Sequence, residues 1–83
     1  MMHQLKIEPQ FFEPLRTGLK RCELRKNDRN YAVDDLLIIS EFILNPYPQY
    51  TGRVLAMRIT HIVEGGCYGL ESGWVCLSVW REE

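Results

Sequence analysis

Alternation of apolar and polar side chains, with a two-residue period, runs through most of this sequence and favours a fold built from β-strands. The period is present in residues 2–7, 20–25, 53–63 and 74–80, and it places successive side chains on opposite faces of a strand. Residues 36–43 are apolar on both faces, as in a strand that is central or covered on both sides. We therefore predict five strands.

The inward faces of the last two strands follow from the same alternation. In residues 53–63, one register holds Leu55, Met57, Ile59 and Val63. His61 lies in that register, so we expect a hydrogen-bonded core histidine there. In residues 74–80, the inward positions are Val75, Leu77 and Val79. Trp74 and Trp80 lie in the opposite register, where we expect them to cover the second face of a thin barrel.

One segment has a helical period instead. It begins after Pro9, a residue that the first turn of a helix tolerates. Apolar residues then recur at three- and four-residue steps and form the stripe Phe11, Phe12, Leu15 and Leu19. Pro14 removes a backbone donor, which predicts a short or kinked helix, and Gly18 is placed as its C-terminal cap.

The order β-α-β-β-β-β indicates an α+β fold, namely a small mixed β-barrel of about five strands with one short helix after the first strand. We expect a single domain over residues 1–83, because a chain of this length has room for one core. Residues 26–35 and 45–48 are rich in turn-forming residues, and Thr51-Gly52 is expected to turn the chain back.

The sequence predicts a cytoplasmic protein without a membrane, metal or cofactor partner. The longest apolar run, residues 36–39, is far shorter than the ~20 residues that span a bilayer, and the first residues do not have the pattern of a secretory signal. The cysteines have no Cys-x-x-Cys spacing and fit reduced thiols; they are Cys22, Cys67 and Cys76.

Positive charge is concentrated in residues 16–29. This segment contains six of the ten Lys and Arg residues and two carboxylates, a charge of +4, whereas the other residues, four basic and nine acidic, carry −5. A local basic patch on a nearly neutral chain suits an anionic ligand held at one site. An ordinary solvated loop has the same composition, so both interpretations stay open at this point.

Residues 18–29 have the pattern G-x-K-x-x-E-[apolar]-R-x-N-D-R. Together with residues 5–7, 33–37 and 50–53, this block resembles the ASCH family of PUA-like barrels, in its short bacterial and phage branch. The resemblance implies a PUA-like barrel, a fold associated with RNA and modified nucleosides. Asp34 stands where that family usually has glycine, and aspartate tolerates left-handed backbone, so we expect the turn to form.

A related branch of the family consists of amidohydrolases that remove an acetyl group from the exocyclic nitrogen of a modified cytidine. Its motif, G-x-K-x-x-T-x-R, supplies a catalytic lysine and threonine. Gly18, Lys20 and Arg25 match this motif, but Glu23 occupies the threonine position, so the nucleophilic hydroxyl is missing. If the chain is an enzyme, the resemblance implies Lys20 as the base and Glu23 as an acceptor or proton carrier.

Strand alternation also groups charged residues. It places Arg21, Glu23 and Arg25 on one face, roughly 7 Å apart, and Lys20 joins them only if the chain bends after Gly18. A carboxylate between two guanidinium groups should stay ionised and act as a fixed acceptor, while the arginines can bind phosphate or stack on a base. The alternative interpretation is a self-satisfied charge ladder on a solvent-facing strand.

Three functions remain open. The first is a binding module for RNA or a nucleotide-like ligand, whose basic cleft contains Lys20, Arg21, Glu23, Arg25, Lys26 and Arg29. The second is an amidohydrolase that acts on a modified nucleoside, and the third is a protein-interaction or phage-accessory module. We expect the first, because the catalytic threonine of the amidohydrolase branch is replaced by Glu23.

Overall fold

The computed structural model describes residues 1–82, which form one short helix and a five-stranded sheet. The elements are β1 (Met2–Ile7), α1 (Pro9–Thr17), β2 (Cys22–Lys26), β3 (Leu36–Ile43), β4 (Gln49–Glu64) and β5 (Trp74–Arg81). The strand order is β1-β3-β4-β5-β2. β1 pairs with β3 in parallel and every other pair is antiparallel. The sheet curls into a half-barrel, so the predicted α+β barrel-like fold is confirmed.

Alternation along the strands builds the core on the concave side of this sheet. β1 buries alternate side chains, and β3, which lies between β1 and β4, buries one face completely and half-buries the other. The apolar core is made by β1, α1 and the three long strands β3, β4 and β5. Its most deeply buried side chains are Phe12, Leu15, Leu37, Ile39, Met57, Ile59, Val75 and Leu77. The inward register predicted for β5 is confirmed.

Helix α1 packs two side chains into the core and ends where the sequence predicts. Gly18 has a left-handed φ of 86°, and its N–H donates to the Leu15 carbonyl at 3.3 Å. Phe12 and Leu15 are buried, whereas Phe11 is partly exposed and Leu19 is fully outside the core. The expectation that Leu19 extends the apolar stripe is wrong, because the helix stops at Thr17 and the chain has already left the helical path.

The turn expected at Thr51-Gly52 is wrong. The chain reverses earlier, within residues 44–48, and β4 already begins at Gln49. The pairing of β3 with β4 shifts between Ser40 and Phe42. Gly52, with a φ of 92°, therefore supplies the left-handed backbone of an irregularity inside the strand rather than that of a turn.

A second irregularity reverses the expected orientation of His61. The β4–β5 register shifts between Ile59 and His61, so that Ile62 packs against the core while His61 and Val63 are exposed. The predictions of a core histidine and of an inward Val63 are therefore wrong, because one extra residue in a strand exchanges its two faces.

Within residues 1–82, the structure contains no helix with the length and hydrophobicity of a transmembrane segment.

Candidate functional site

The two edge strands of the half-barrel, β1 and β2, face each other across an opening that we call the seam. They stand at opposite ends of the strand order, and within residues 1–82 no backbone ladder joins them. Two arginine side chains cross the seam instead. Arg25 Nη2 donates to the Lys6 carbonyl at 2.9 Å, and Arg29 Nη1 donates to the Gln4 carbonyl at 2.5 Å. The guanidinium groups thereby satisfy backbone acceptors on an edge strand and are fixed in position.

A cluster of three charged side chains lies at the β2 side of the seam. Glu23 is 5% exposed, and its Oε1 accepts a hydrogen bond from Lys20 Nζ at 3.0 Å. Its Oε2 accepts from Arg25 Nε at 2.8 Å. Lys20 Nζ also donates to the Cys22 carbonyl. The carboxylate is thus compensated on both sides, and the three groups together carry one net positive charge.

The chain bend after Gly18 brings Lys20 into this cluster. Strict alternation from β2 would direct Lys20 to the other face, but β2 begins only at Cys22, and the Lys20 N–H donates to the Pro14 carbonyl at 3.0 Å. The proximity of Lys20, Glu23 and Arg25 expected from the sequence is therefore present in the structure. Their role in binding a ligand stays a prediction.

The faces of β2 show that this strand is not a solvent-facing charge ladder. Glu23 is buried and Arg25 is half-buried, whereas the apolar Leu24 is 56% exposed. A buried carboxylate needs charged or hydrogen-bonded partners, and Lys20 and Arg25 provide them. The inward face of this short edge strand is therefore the charged one.

Two large grooves run along the seam, next to a smaller one of about 200 Å³ that is lined by Ile7, Phe11, Lys20, Cys22, Glu23 and Leu24. The first encloses about 420 Å³. Its charged lining consists of Lys6, Glu8, Glu23, Arg25, Lys26, Asp28 and Arg29. Its aromatic lining consists of Phe11, Tyr31 and Trp74. The second encloses about 500 Å³ and is lined by Gln4, Leu5, Lys6, Arg25, Arg29, Ser40 and Tyr50. The first groove combines both charge signs with aromatic rings, and the second contains cations without a carboxylate.

The structure places Arg21 outside the two large grooves. Its guanidinium lies 4.8 Å from the Trp80 ring centroid, and its Nε donates to the Gly18 carbonyl at 3.0 Å. It lines a smaller groove that it shares with Lys20 and Arg81. Arg16, also in the basic segment, pairs with Glu13. The six cations of residues 16–29 therefore do not converge on one surface: Arg25, Lys26 and Arg29 line the first groove, and Lys20 adjoins it through Glu23.

Lys6 is a seam residue that the sequence does not single out as a binding residue. It lines both grooves, and its ammonium lies 4.6 Å from the Phe42 ring centroid. Alternation does predict that Lys6 points away from the core of β1. β1 becomes the edge opposite β2 because it pairs in parallel with β3, which lies more than thirty residues later in the chain. No local sequence pattern reveals this pairing.

A buried polar contact anchors the loop that carries Arg29. Asp35 accepts hydrogen bonds from His3 at 2.8 Å, from the Ala32 N–H at 3.0 Å and from the amino group of Met1 at 3.1 Å. The His3 hydrogen bond is the largest cause that lowers the pKa of Asp35 to about 2. The His3 ring meets Tyr31 edge-on at 4.8 Å, and burial raises the pKa of Tyr31.

The cysteines, all in the part of the chain that the structure describes, do not form a metal site. Cys22, Cys67 and Cys76 are free thiols, and Cys22 and Cys76 lie close together on the paired strands β2 and β5. Within residues 1–82, no group of three or more His, Cys, Asp or Glu side chains is arranged to hold a metal ion.

Comparison with known proteins identifies the family. Residues 2–79 match the family model described as "Domain of unknown function (DUF3850)". The chain belongs to this family. It is also similar to the "Uncharacterized 12.9 kDa protein in GpA 3'region" of Escherichia phage P2, with 36% identity over 63 residues. That alignment covers 76% of this chain and 55% of the phage protein, so the chain spans little more than half the length of this relative.

The part of the chain that matches the DUF3850 family includes the whole seam. Every residue that lines the two grooves lies between Gln4 and Trp74, inside the matched range. The names of the family and of the phage protein include no ligand, substrate or partner.

Proposed function

We propose that the seam binds single-stranded RNA or a nucleotide-like ligand. The observation that carries this proposal is the lining of the first groove, in which Arg25, Lys26 and Arg29 share one concave surface with the accessible rings of Phe11 and Trp74. Cationic side chains beside aromatic rings suit a ligand that has both a phosphate backbone and flat bases. Arg21, which the sequence predicts to lie in the binding cleft, is not part of the proposed site, because its guanidinium lies against Trp80.

Glu23 has a specific part in this proposal. Its carboxylate oxygens are oriented by Lys20 and Arg25 and border the first groove. Each carboxylate oxygen has two lone-pair sites, so one acceptor site per oxygen remains after these two bonds. A fixed acceptor of this kind suits the exocyclic amino group of a base, whereas the cations around it suit the backbone.

We also propose that the half-barrel is a PUA-like barrel of the ASCH type, and that the protein works in the cytoplasm. The support for the fold is the position of the G-x-K-x-x-E-x-R block, because Gly18 caps α1 and Glu23 and Arg25 reach the seam. The support for the compartment is three free thiols. A crystal structure superimposed on ASCH domains tests the first proposal, and cell fractionation tests the second.

The test of RNA binding uses a charge-neutralised double variant, Arg25→Gln/Arg29→Gln, and a fluorescent single-stranded RNA in an anisotropy titration at several salt concentrations. If each arginine neutralises one phosphate, the slope of log K against log salt becomes shallower by about 1.4, since each contact to a single strand contributes about 0.7. The control is Arg16→Gln/Arg58→Gln, which removes two positive charges outside both grooves. No binding at low salt, or equal slopes in the two double variants, would overturn the proposal.

One observation favours a second function, hydrolysis of an acetylated cytidine. The Lys20 amine and the Glu23 carboxylate are 3.0 Å apart beside a groove, as an acid–base pair requires. However, Glu23 occupies the position of the threonine that supplies the nucleophile in the amidohydrolase motif. We therefore expect no turnover of N4-acetylcytidine by the natural chain, and a gain in the Glu23→Thr variant would show that only the nucleophile is missing. Deacetylation by the natural chain that is lost in Lys20→Ala would establish the enzyme.

A protein-interaction or phage-accessory role is the third proposal, supported by the phage P2 relative. It predicts that the charged cluster is structural and that RNA does not compete with a protein partner. The same anisotropy titration therefore separates it from the first proposal.

A further inference from the structure

We propose that the second groove is a phosphate subsite, in which Lys6, Arg25 and Arg29 bind the phosphate of a ligand whose base occupies the first groove. This inference rests on the proposed function and adds the orientation of the ligand. Lys6, Arg25 and Arg29 line this groove with three cationic groups, of which Arg25 is ion-paired with Glu23, and no carboxylate is among the lining residues. Such a surface favours a compact anion over a neutral group.

The two arginines are held in place by backbone oxygens across the seam. Arg29 Nη1 donates to the Gln4 carbonyl, and Arg25 Nη2 donates to the Lys6 carbonyl. A backbone acceptor orients a guanidinium and leaves its charge intact, so Arg29 keeps its full charge, whereas Arg25 shares its charge with Glu23 through an ion pair. A guanidinium has five N–H donors. The hydrogen bonds of residues 1–82 use one donor of Arg29 and two of Arg25, whose Nε donates to Glu23.

Lys6 is positioned by an aromatic pair. Its Nζ lies 4.6 Å from the Phe42 ring centroid, and Phe42 meets Tyr50 edge-on at 5.0 Å. Within residues 1–82, the ion pairs are formed by other cations, and Lys6 forms none. An ammonium over a ring face is held weakly and stays available to a stronger anionic partner. The hydroxyl groups of Ser40 and Tyr50 line the same groove and add neutral donors.

The contrast between the grooves gives the ligand its direction. The first groove sets three carboxylates, Glu8, Glu23 and Asp28, against its four cations, so it favours a phosphate less than the second groove does, while its aromatic rings suit a base. Lys6, Arg25 and Arg29 line both grooves, so the two sites are adjacent. A nucleotide can therefore place its base near Trp74 and its phosphate in the second groove.

The test compares cytidine, cytidine monophosphate and inorganic phosphate by isothermal titration calorimetry at low salt. We expect the natural chain to bind the monophosphate at least about tenfold more tightly than cytidine, because charge-assisted hydrogen bonds to a phosphate are stronger than hydrogen bonds between neutral groups. The advantage should disappear in Lys6→Gln/Arg29→Gln and persist in Arg16→Gln/Arg58→Gln. Lys6→Gln alone, an exposed position on β1, gives the same comparison with a smaller change if the double variant unfolds.

The outcomes separate this inference from the function on which it rests. Equal affinity for cytidine and its monophosphate would overturn the phosphate subsite and leave base binding in the first groove intact. Binding of phosphate that depends on Lys6 and Arg29, without any affinity for cytidine or RNA, would support the subsite and overturn the proposed function. An advantage of the monophosphate that survives in Lys6→Gln/Arg29→Gln would place the phosphate elsewhere and also refute the inference.

Discussion

Replacing Glu23 with glutamine tests whether the charged cluster is a buried, mutually dependent unit. The substitution keeps the shape of the side chain and removes one negative charge between Lys20 and Arg25. The side chain of Glu23 is 7% exposed, and those of Lys20 and Arg25 are 26% and 25% exposed. The carboxylate therefore cannot exchange its protein partners for water without opening the seam.

The magnitude follows from the contacts. Removing one partner of a buried ion pair costs about 3–5 kcal/mol, because the other charge is left uncompensated. The glutamine amide still accepts one hydrogen bond, and Lys20 and Arg25 are partly solvated, so we expect a loss of about 2–3 kcal/mol. For a domain of this size, each kcal/mol lowers the melting temperature by about 4–8 °C, so the expected decrease is roughly 10–20 °C.

The assay is urea unfolding at pH 7, followed by circular dichroism, in low and in high salt. Glu82→Gln is the matched control, because Glu82 also pairs with an arginine, Arg58, at 2.7 Å but is 39% exposed. We expect this control to change stability little, since solvent-exposed ion pairs contribute little. If Glu23→Gln unfolds at the same urea concentration as the control, the cluster is an ordinary surface ladder and the reasoning is wrong.

Three further predictions concern the scaffold. A Cβ at Gly65 would lie 1.9 Å from the Glu71 carbonyl oxygen, so Gly65→Ala should cost about 3 kcal/mol or more in urea unfolding, and a loss below 1 kcal/mol would contradict the contact. Because the pKa of Asp35 is lowered to about 2 from 3.8 in the folded state, chiefly by His3, its stabilisation is complete above pH 4 and is lost as the pH falls towards 2. The stability difference between the natural chain and Asp35→Asn should therefore shrink by about 1–2 kcal/mol between pH 5 and pH 2, and a constant difference would refute this. Asp34 has a φ of 77°, so Asp34→Gly should be at least as stable as the natural chain and Asp34→Ala less stable by about 1 kcal/mol; equal melting temperatures of the two variants would contradict the strain.

The charged site was partly predictable for a physical reason. The composition of residues 16–29 and the alternation of β2 indicate that Glu23 and Arg25 share a face. Their burial was not predictable, because Leu24 is the apolar residue of the strand and yet is 56% exposed. Arg21 has the same parity as Glu23 but lies before β2 begins and stacks on Trp80, so alternation fails for it.

Irregular strand pairing explains the errors in β4. His61 and Val63 follow the apolar register of Leu55 and Met57 in sequence, but the register shift after Ile59 exchanges the faces of the strand. A shift of this kind depends on how β5 pairs with β4, and not on the residues of β4 alone. The same holds for Gly52, which the sequence places at a chain reversal but which lies inside β4 with left-handed backbone.

The sequence by itself determined the elements whose causes are local. Two-residue alternation specifies the strands, the spacing of Phe12 and Leu15 specifies the buried face of the helix, and Gly18 specifies where the helix ends. The tertiary structure decided which strands became edges, and thereby created the seam. Lys6 and Arg29 meet only because β1 pairs with β3 and β2 pairs with β5, contacts between segments far apart in the chain, so the site arises from strand order rather than from any single motif.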